Sequence, residues 1–188
     1  MQRDEQRRRS RAAILEAAGA SFERNGYAAT SLAEVAAELG MVRGTVLFHF
    51  ASKGGLVHAL ASHYHSTWDQ TVATSMGGAD TPSEGLRAFS HSFADTLRSD
   101  ARLRGALRVS RERTELSGDG GPAQRWMRLF TDVLAAEHGK DASQALAGCI
   151  WGLLDLHLVG LLPDVHRSID TTWVAFNASG GPPHGDRP

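Results

Sequence analysis

Three histidines, His58, His63 and His65, lie close together in the chain, and imidazoles so grouped could hold a metal ion. Their spacings of five and two residues put them on different faces of a helix. A helical metal site instead wants two ligands four residues apart. Ser110 and Ser117 sit in no nucleophile elbow, and Cys149 lies in an apolar run without a cation to form its thiolate. No phosphate-binding glycine loop follows a strand. The chain therefore reads as a non-enzyme, with no resident metal or cofactor expected. A binding chemistry is left. Residues 30–53, TSLAEVAAELGMVRGTVLFHFASK, contain a capped two-turn helix, a glycine turn and a second short helix. This is the helix-turn-helix arrangement, which projects its second helix into the major groove while the first crosses the backbone. Helix pairs joined by glycine also occur in ordinary bundles, so spacing alone leaves both readings open.

The elements that must position this block are helical. No sustained period-2 alternation is present, and no Asn-Gly or Asp-Gly turn joins β-branched runs. An all-α fold of about nine helices is expected. Ile14, Leu15, Ala18 and Phe22 predict a first helix over 7–24, stopped by Asn25-Gly26. Ser31 and Glu34 form a capping box that starts the second helix at Leu32, and Gly40 ends it. A third follows over 43–50. Leu56, Leu60, Tyr64 and Trp68 mark a longer helix from Ser52 to Gly77-Gly78, and Thr81-Pro82-Ser83-Glu84 opens the next. Further helices are expected over 101–115, 123–138, 142–161 and 164–177, with a loop over 117–122. The implied domains are a helix-turn-helix head over 1–52, a helical body over 53–178, and an unpacked Gly/Pro-rich tail over 179–188.

Composition agrees with a folded globular protein: 188 residues, 41% hydrophobic and 22% charged. One cysteine permits no internal disulfide and no export signal is visible, so a reducing cytoplasm is expected. The longest apolar stretch, 145–162, carries Asp155 and His157 and reads as a buried helix rather than a membrane span. Net charge is −1, but it divides into +2 over 1–53 and −3 over the remainder. Five arginines stand within residues 1–11 against Asp4 and Glu5, so positive density gathers where phosphates would need it. For at least half of these charges an ordinary solvated helix face is the expected reading.

The sequence FERNGYAATSLAEVA followed by GTVLFHFASK resembles the DNA-binding head of the TetR family of repressors. The resemblance spans roughly residues 10–60. It implies a three-helix head on an all-α ligand-binding and dimerisation body, acting as a homodimer on a palindromic double-stranded operator. Carried over by position, it places Arg43, Gly44 and Thr45 at base edges and nearby phosphates, with Arg43 suited to guanine O6/N7. Thr30 and Ser31 would donate to phosphate at the start of the second helix, and Lys53 would anchor another phosphate. His49 is either a phosphate neighbour or packed at the seam, and Phe48 and Phe50 are expected in the core. Relatives often carry a capping hydroxyl at the position of Val42 and a phosphate-touching tyrosine at that of Leu47; both hydroxyls are absent. A lost cap costs about 1 kcal/mol, and a lost phosphate contact flattens the salt dependence by roughly one unit.

Within that family, FHFASK, LRGALRVSRE (residues 103–112) and Trp126 are similar to the γ-butyrolactone receptors of actinomycetes. The similarity implies that Trp126 lies against a small hydrophobic effector such as a lactone. By helical phase the pocket wall would be Leu86, Phe89, Phe93, Leu107, Trp126, Phe130, Trp151 and Leu154, residues that could also be plain core. Tyr64 and Leu153 replace Gln and Thr of some receptors, which leaves open a pseudo-receptor that ignores butyrolactones. A helical interaction protein without DNA binding is the remaining alternative. In the family the last two long helices pair across a two-fold axis, and residues 142–161 are apolar on nearly every face. Met76, Leu158, Val159 and Leu162 are candidates for that interface, as are Asp155 and His157.

Overall fold

A computed structural model describes residues 1–113 and 121–179. These residues form nine helices and no strand: α1 (Gln2–Ala29), α2 (Leu32–Glu38), α3 (Arg43–Phe50), α4 (Lys53–Gly77), α5 (Pro82–Ser99), α6 (Ala101–Glu112), α7 (Gly121–His138), α8 (Lys140–Leu158) and α9 (Val165–Ser179). The fold is all-α, as the periodicity implies. Among the described residues no helix is long and apolar enough to cross a membrane. Most of the loop expected over 117–122, and the tail beyond Ser179, lie outside the described residues.

Start signals act where the sequence places them. Ser31 Oγ accepts from the Glu34 amide at 3.2 Å while the Glu34 carboxylate accepts from the Ser31 amide at 2.9 Å. Thr81 and Glu84 make the same reciprocal pair at 3.2 and 3.1 Å ahead of α5. Each pair satisfies two amide donors that the first helical turn cannot. α1 starts five residues earlier than the apolar stripe suggests. Its first turn carries Asp4 and Glu5, which favour the positive end of the helix dipole, and Glu5 pairs with Arg9 at 3.0 Å. Polar residues alone thus extend the helix beyond its buried face.

The chain divides into two compact units, one of residues 1–68 and 97–121, the other of 69–96 and 122–188. The first unit is centred on Ile14, Ala18, Phe22, Val35, Val46 and Leu56, all fully buried. α6 belongs to it, because α1 and α6 touch through their backbones. A Cβ added at Gly105 would lie 2.4 Å from the Gly19 carbonyl oxygen, and one at Gly19 would lie 2.6 Å from the Arg102 Cα. No side chain fits at either position. At the head of α6, Asp100 caps the Arg102 amide at 2.9 Å, pairs with the Arg102 guanidinium at 2.8 Å and meets His63 Nε2 at 2.6 Å. His63 is therefore a structural partner of α6.

The second unit is cored by aromatic rings from α5, α7 and α9, including Phe89, Phe93, Trp126, Phe130 and Trp173, each at most 2% exposed. One face of α8 is open: a Cβ added at Gly148 or Gly152 would meet nothing within 4 Å, and Cys149, Leu156 and Val159 are exposed. The stretch over 145–162, expected as a buried helix, is buried on one side only within this chain.

Gly105→Ala forces the α1–α6 backbones apart, an overpacking that costs about 1–3 kcal/mol. Thermal unfolding followed by circular dichroism is expected to show a melting temperature lower by several degrees. Gly44→Ala, where a Cβ meets nothing within 4 Å, is expected to leave it unchanged or raise it.

Candidate nucleic-acid interface

α3 turns Val46 and Phe50 into the core, and these four-residue neighbours fix which way the helix faces. Arg43 and Gly44 are exposed at its start, and Thr45 is half-buried. Phe48 departs from the expectation that it is core: it is 72% exposed. The reason is angular. At 100° per residue it lies some 200° from both Val46 and Phe50, on the opposite side of the helix. That signal was present in the sequence. Leu47 is half-buried and packs on the core in place of reaching outward. Val42 is exposed at the N-cap, and α3 has no side-chain cap.

Ser31 stands exposed at the start of α2. Thr30 corrects the expectation of a phosphate donor. It is buried, and its hydroxyl donates to the Gly26 carbonyl at 2.8 Å, leaving no outward proton. This bond closes the turn that follows α1. Lys53 Nζ donates to the Ala28 carbonyl at 3.2 Å and lies 4.2 Å from the Tyr27 ring centroid. Burial first, and then the charge of Arg113, lowers the Lys53 ammonium from its ordinary value. Its head group is held in place at the start of α4.

The α1 arginines add charge beside α3. Arg7 lies 5.7 Å from the Phe48 ring centroid, and Arg11 4.7 Å from that of Phe50. Burial, followed by the charges of Arg7 and Arg11, lowers the His49 imidazole from its ordinary value and favours its neutral form. Half-buried on α3, His49 then offers an uncharged ring nitrogen rather than a cation.

Gly26 breaks α1 near its end, and α6 clamps that break. Gly26 takes φ +77°, and the Glu112 carboxylate oxygen lies 2.6 Å from where a Cβ would be. Glu112 accepts from the Tyr27 amide at 2.7 Å and from Arg108 Nε at 2.7 Å. The end of α6 thus grips the break on which the two short helices depend.

In the second unit, Leu86, Phe89, Phe93, Trp126, Phe130 and Leu154 are buried and Trp151 is half-buried. Leu107 is buried on α6, within the first unit. The Trp126 ring centroid is 4.9 Å from Phe130, 5.3 Å from Phe89 and 5.7 Å from Trp151, and its indole N–H donates to the Ala147 carbonyl at 2.9 Å. Trp173, which phase analysis did not single out, joins this cluster 6.2 Å from Phe130. His157 Nδ1 donates to the Leu162 carbonyl at 2.9 Å and so fastens the chain after α8. Among the described residues no group of three or more His, Cys, Asp or Glu side chains could hold a metal.

A capped α2, a tight turn and an α3 with an arginine-led outer face form a helix-turn-helix. Residues 14–60 match the family described as "Bacterial regulatory proteins, tetR family". The chain is 32% identical over 116 residues to the HTH-type transcriptional regulator TtgR of Pseudomonas putida, a match covering 61% of this chain and 55% of that protein. The chain thus spans about half the length of the curated relatives it matches. Its fold is similar to the crystal structure of a γ-butyrolactone receptor (ArpA-like protein), with a TM-score of 0.80, 22% identity and coverage of 94% of this chain and 90% of that one. It is also similar to CprB from Streptomyces coelicolor in complex with its operator sequence, with a TM-score of 0.75, 24% identity and coverage of 91% and 88%. At these identities the two structural likenesses concern the fold. The matched family consists of regulators, in line with the reading of the chain as a non-enzyme.

Arg108 and the Tyr27 amide hold the Glu112 carboxyl below the ordinary glutamate range. The stabilisation is therefore present above that range and is lost as pH falls through the lowered value. Glu112→Gln is expected to lower the melting temperature by about 1–3 °C at neutral pH, the scale of a part-exposed ion pair. In thermal melts the gap should close on acidification.

Proposed function

We propose that this chain is a transcriptional repressor that binds a palindromic double-stranded operator as a homodimer. The outward face of α3 carries the reading: Arg43, Gly44 and Phe48 are exposed where a helix-turn-helix meets base edges, with Thr45 half-buried beside them. Arg43 is the candidate for guanine O6/N7, and Phe48 offers a ring for a thymine methyl. Ser31, His49 and Lys53 flank that face, and Arg7 and Arg11 extend its positive charge.

Two copies are needed to match a palindrome. The open face of α8, with Gly148, Cys149, Leu156 and Val159, and the exposed Val174 of α9 support pairing through the second unit. A small hydrophobic effector, γ-butyrolactone-like, would act by preferring the form that does not bind DNA. It would enter among Phe89, Phe93, Trp126, Phe130 and Trp151. A second reading, a pseudo-receptor unresponsive to butyrolactones, is favoured by one observation: the Trp126 N–H already has a partner in Ala147 and its ring faces are covered by other rings.

The reading is tested by a gel-shift titration on a palindrome from the upstream region. Arg43→Ala is expected to weaken binding by roughly 5- to 150-fold, the loss of one bidentate base contact. If Arg43 instead meets phosphate, the salt slope falls by about one. Equal affinity with an equal slope would refute the role of the head. For the dimer, Gly148→Arg leaves the chain's own packing untouched because a Cβ added there would meet nothing within 4 Å. Sedimentation is expected to report a halved mass, and DNA affinity should fall with it.

A further inference from the structure

His91 and Asp95 on α5 are four residues apart, and so are His166 and Asp170 on α9. The structure cross-links these two repeats. His91 Nε2 meets Asp170 Oδ1 at 2.8 Å, His166 Nε2 meets Asp95 Oδ1 at 3.0 Å, and the two Nδ1 atoms face each other at 2.7 Å. The rings are nearly parallel, with centroids 5.0 Å apart. Each helix therefore supplies one imidazole and, one turn on, the carboxylate that receives the other helix's ring.

Hydrogen-bond accounting fixes the proton content. An ionised carboxylate only accepts, so each ring must carry its proton on Nε2. Two neutral rings would then aim lone pairs at each other across 2.7 Å, and two imidazolium ions would aim N–H at N–H. A bond between the Nδ1 atoms exists only when the pair holds one additional proton. Charge gives the same answer. Arg87 also reaches Asp170 Oδ1, at 3.2 Å. Arg87 and a single shared proton balance Asp95 and Asp170.

We infer that His91 and His166 form a one-proton latch joining α5 to α9, complete when one proton is shared and broken by its loss or by a second. α5 presents Arg87 and Asp95 to the pair, and α9 presents Asp170; Asp164, at the start of α9, is taken up by the Arg167 amide at 3.0 Å. Both rings are partly exposed, so solvent protons reach them. His91 holds the Asp170 carboxyl below its ordinary range, with Arg87 contributing less, so the carboxylate needed to orient the ring is already ionised in mild acid. Through the proposed pairing of α8 and α9, the latch would make dimer firmness depend on the proton content of the pair. That last consequence rests on the proposed function; the latch itself does not.

The test is a histidine-detected nitrogen-15 NMR titration of the full chain, with His91→Gln and His166→Gln used for assignment. The expected result is two separated protonation steps shared by the pair, with an intermediate plateau, and each single variant converts the remaining ring to one ordinary step. Asp95→Asn, which keeps the helix intact and removes one anchoring charge, is expected to abolish the plateau. Two independent single steps in the unaltered protein, unmoved when the partner ring is replaced, would overturn the latch. None of these readings requires DNA, so the latch and the repressor assignment can fail separately.

Discussion

The first unit depends on the direct contact of two helix backbones. Where α1 crosses α6, Gly19 and Gly105 leave no room for a single methyl group, and the two main chains meet. That proximity lets the end of α6 reach the break near the end of α1, where Glu112 occupies the space a side chain at Gly26 would take and holds the Tyr27 amide. With α1 and its break fixed, Ser31 and Glu34 start α2 in one direction, and Val46 and Phe50 seat α3 beneath it. The outer face of α3 is what remains once these inner demands are met.

Positive charge arrives at that face from an unexpected distance in sequence. Arg7 and Arg11 belong to the first turns of α1, yet their guanidinium groups sit over the rings of Phe48 and Phe50. Lys53 and Arg113 approach the Tyr27 ring, from α4 and from the end of α6. Aromatic faces thus act as seats for cations, keeping their long side chains ordered while leaving the charge near solvent.

Local order was the most legible part of the chain. Both capping boxes, the glycine break near the end of α1 and the limits of α3 can be read from neighbours within four residues. Angular bookkeeping also contained the outward turn of Phe48, although its apolar character suggested the core. Thr30 was harder, since a hydroxyl beside a helix start looks available until the Gly26 carbonyl claims it. Pairings between distant segments were not legible. Phase marks Leu107 and Phe89 alike as inward, but says nothing of which neighbours each meets, and Leu107 falls with α1 in the first unit. The meeting of His91 with His166 depends on the packing of α5 against α9, to which no local signal points.

The bare N-cap of α3 bears on motion. With valine at position 42, the leading amides of Arg43 and Gly44 have no side-chain acceptor, and only the Thr45 amide turns back, to the Val42 carbonyl at 2.9 Å. Helices fray from ends that lack such closure. In hydrogen exchange this turn would open well before the rest of the head. The arginine that leads the outer face of α3 thus stands on a turn with no side-chain closure of its own.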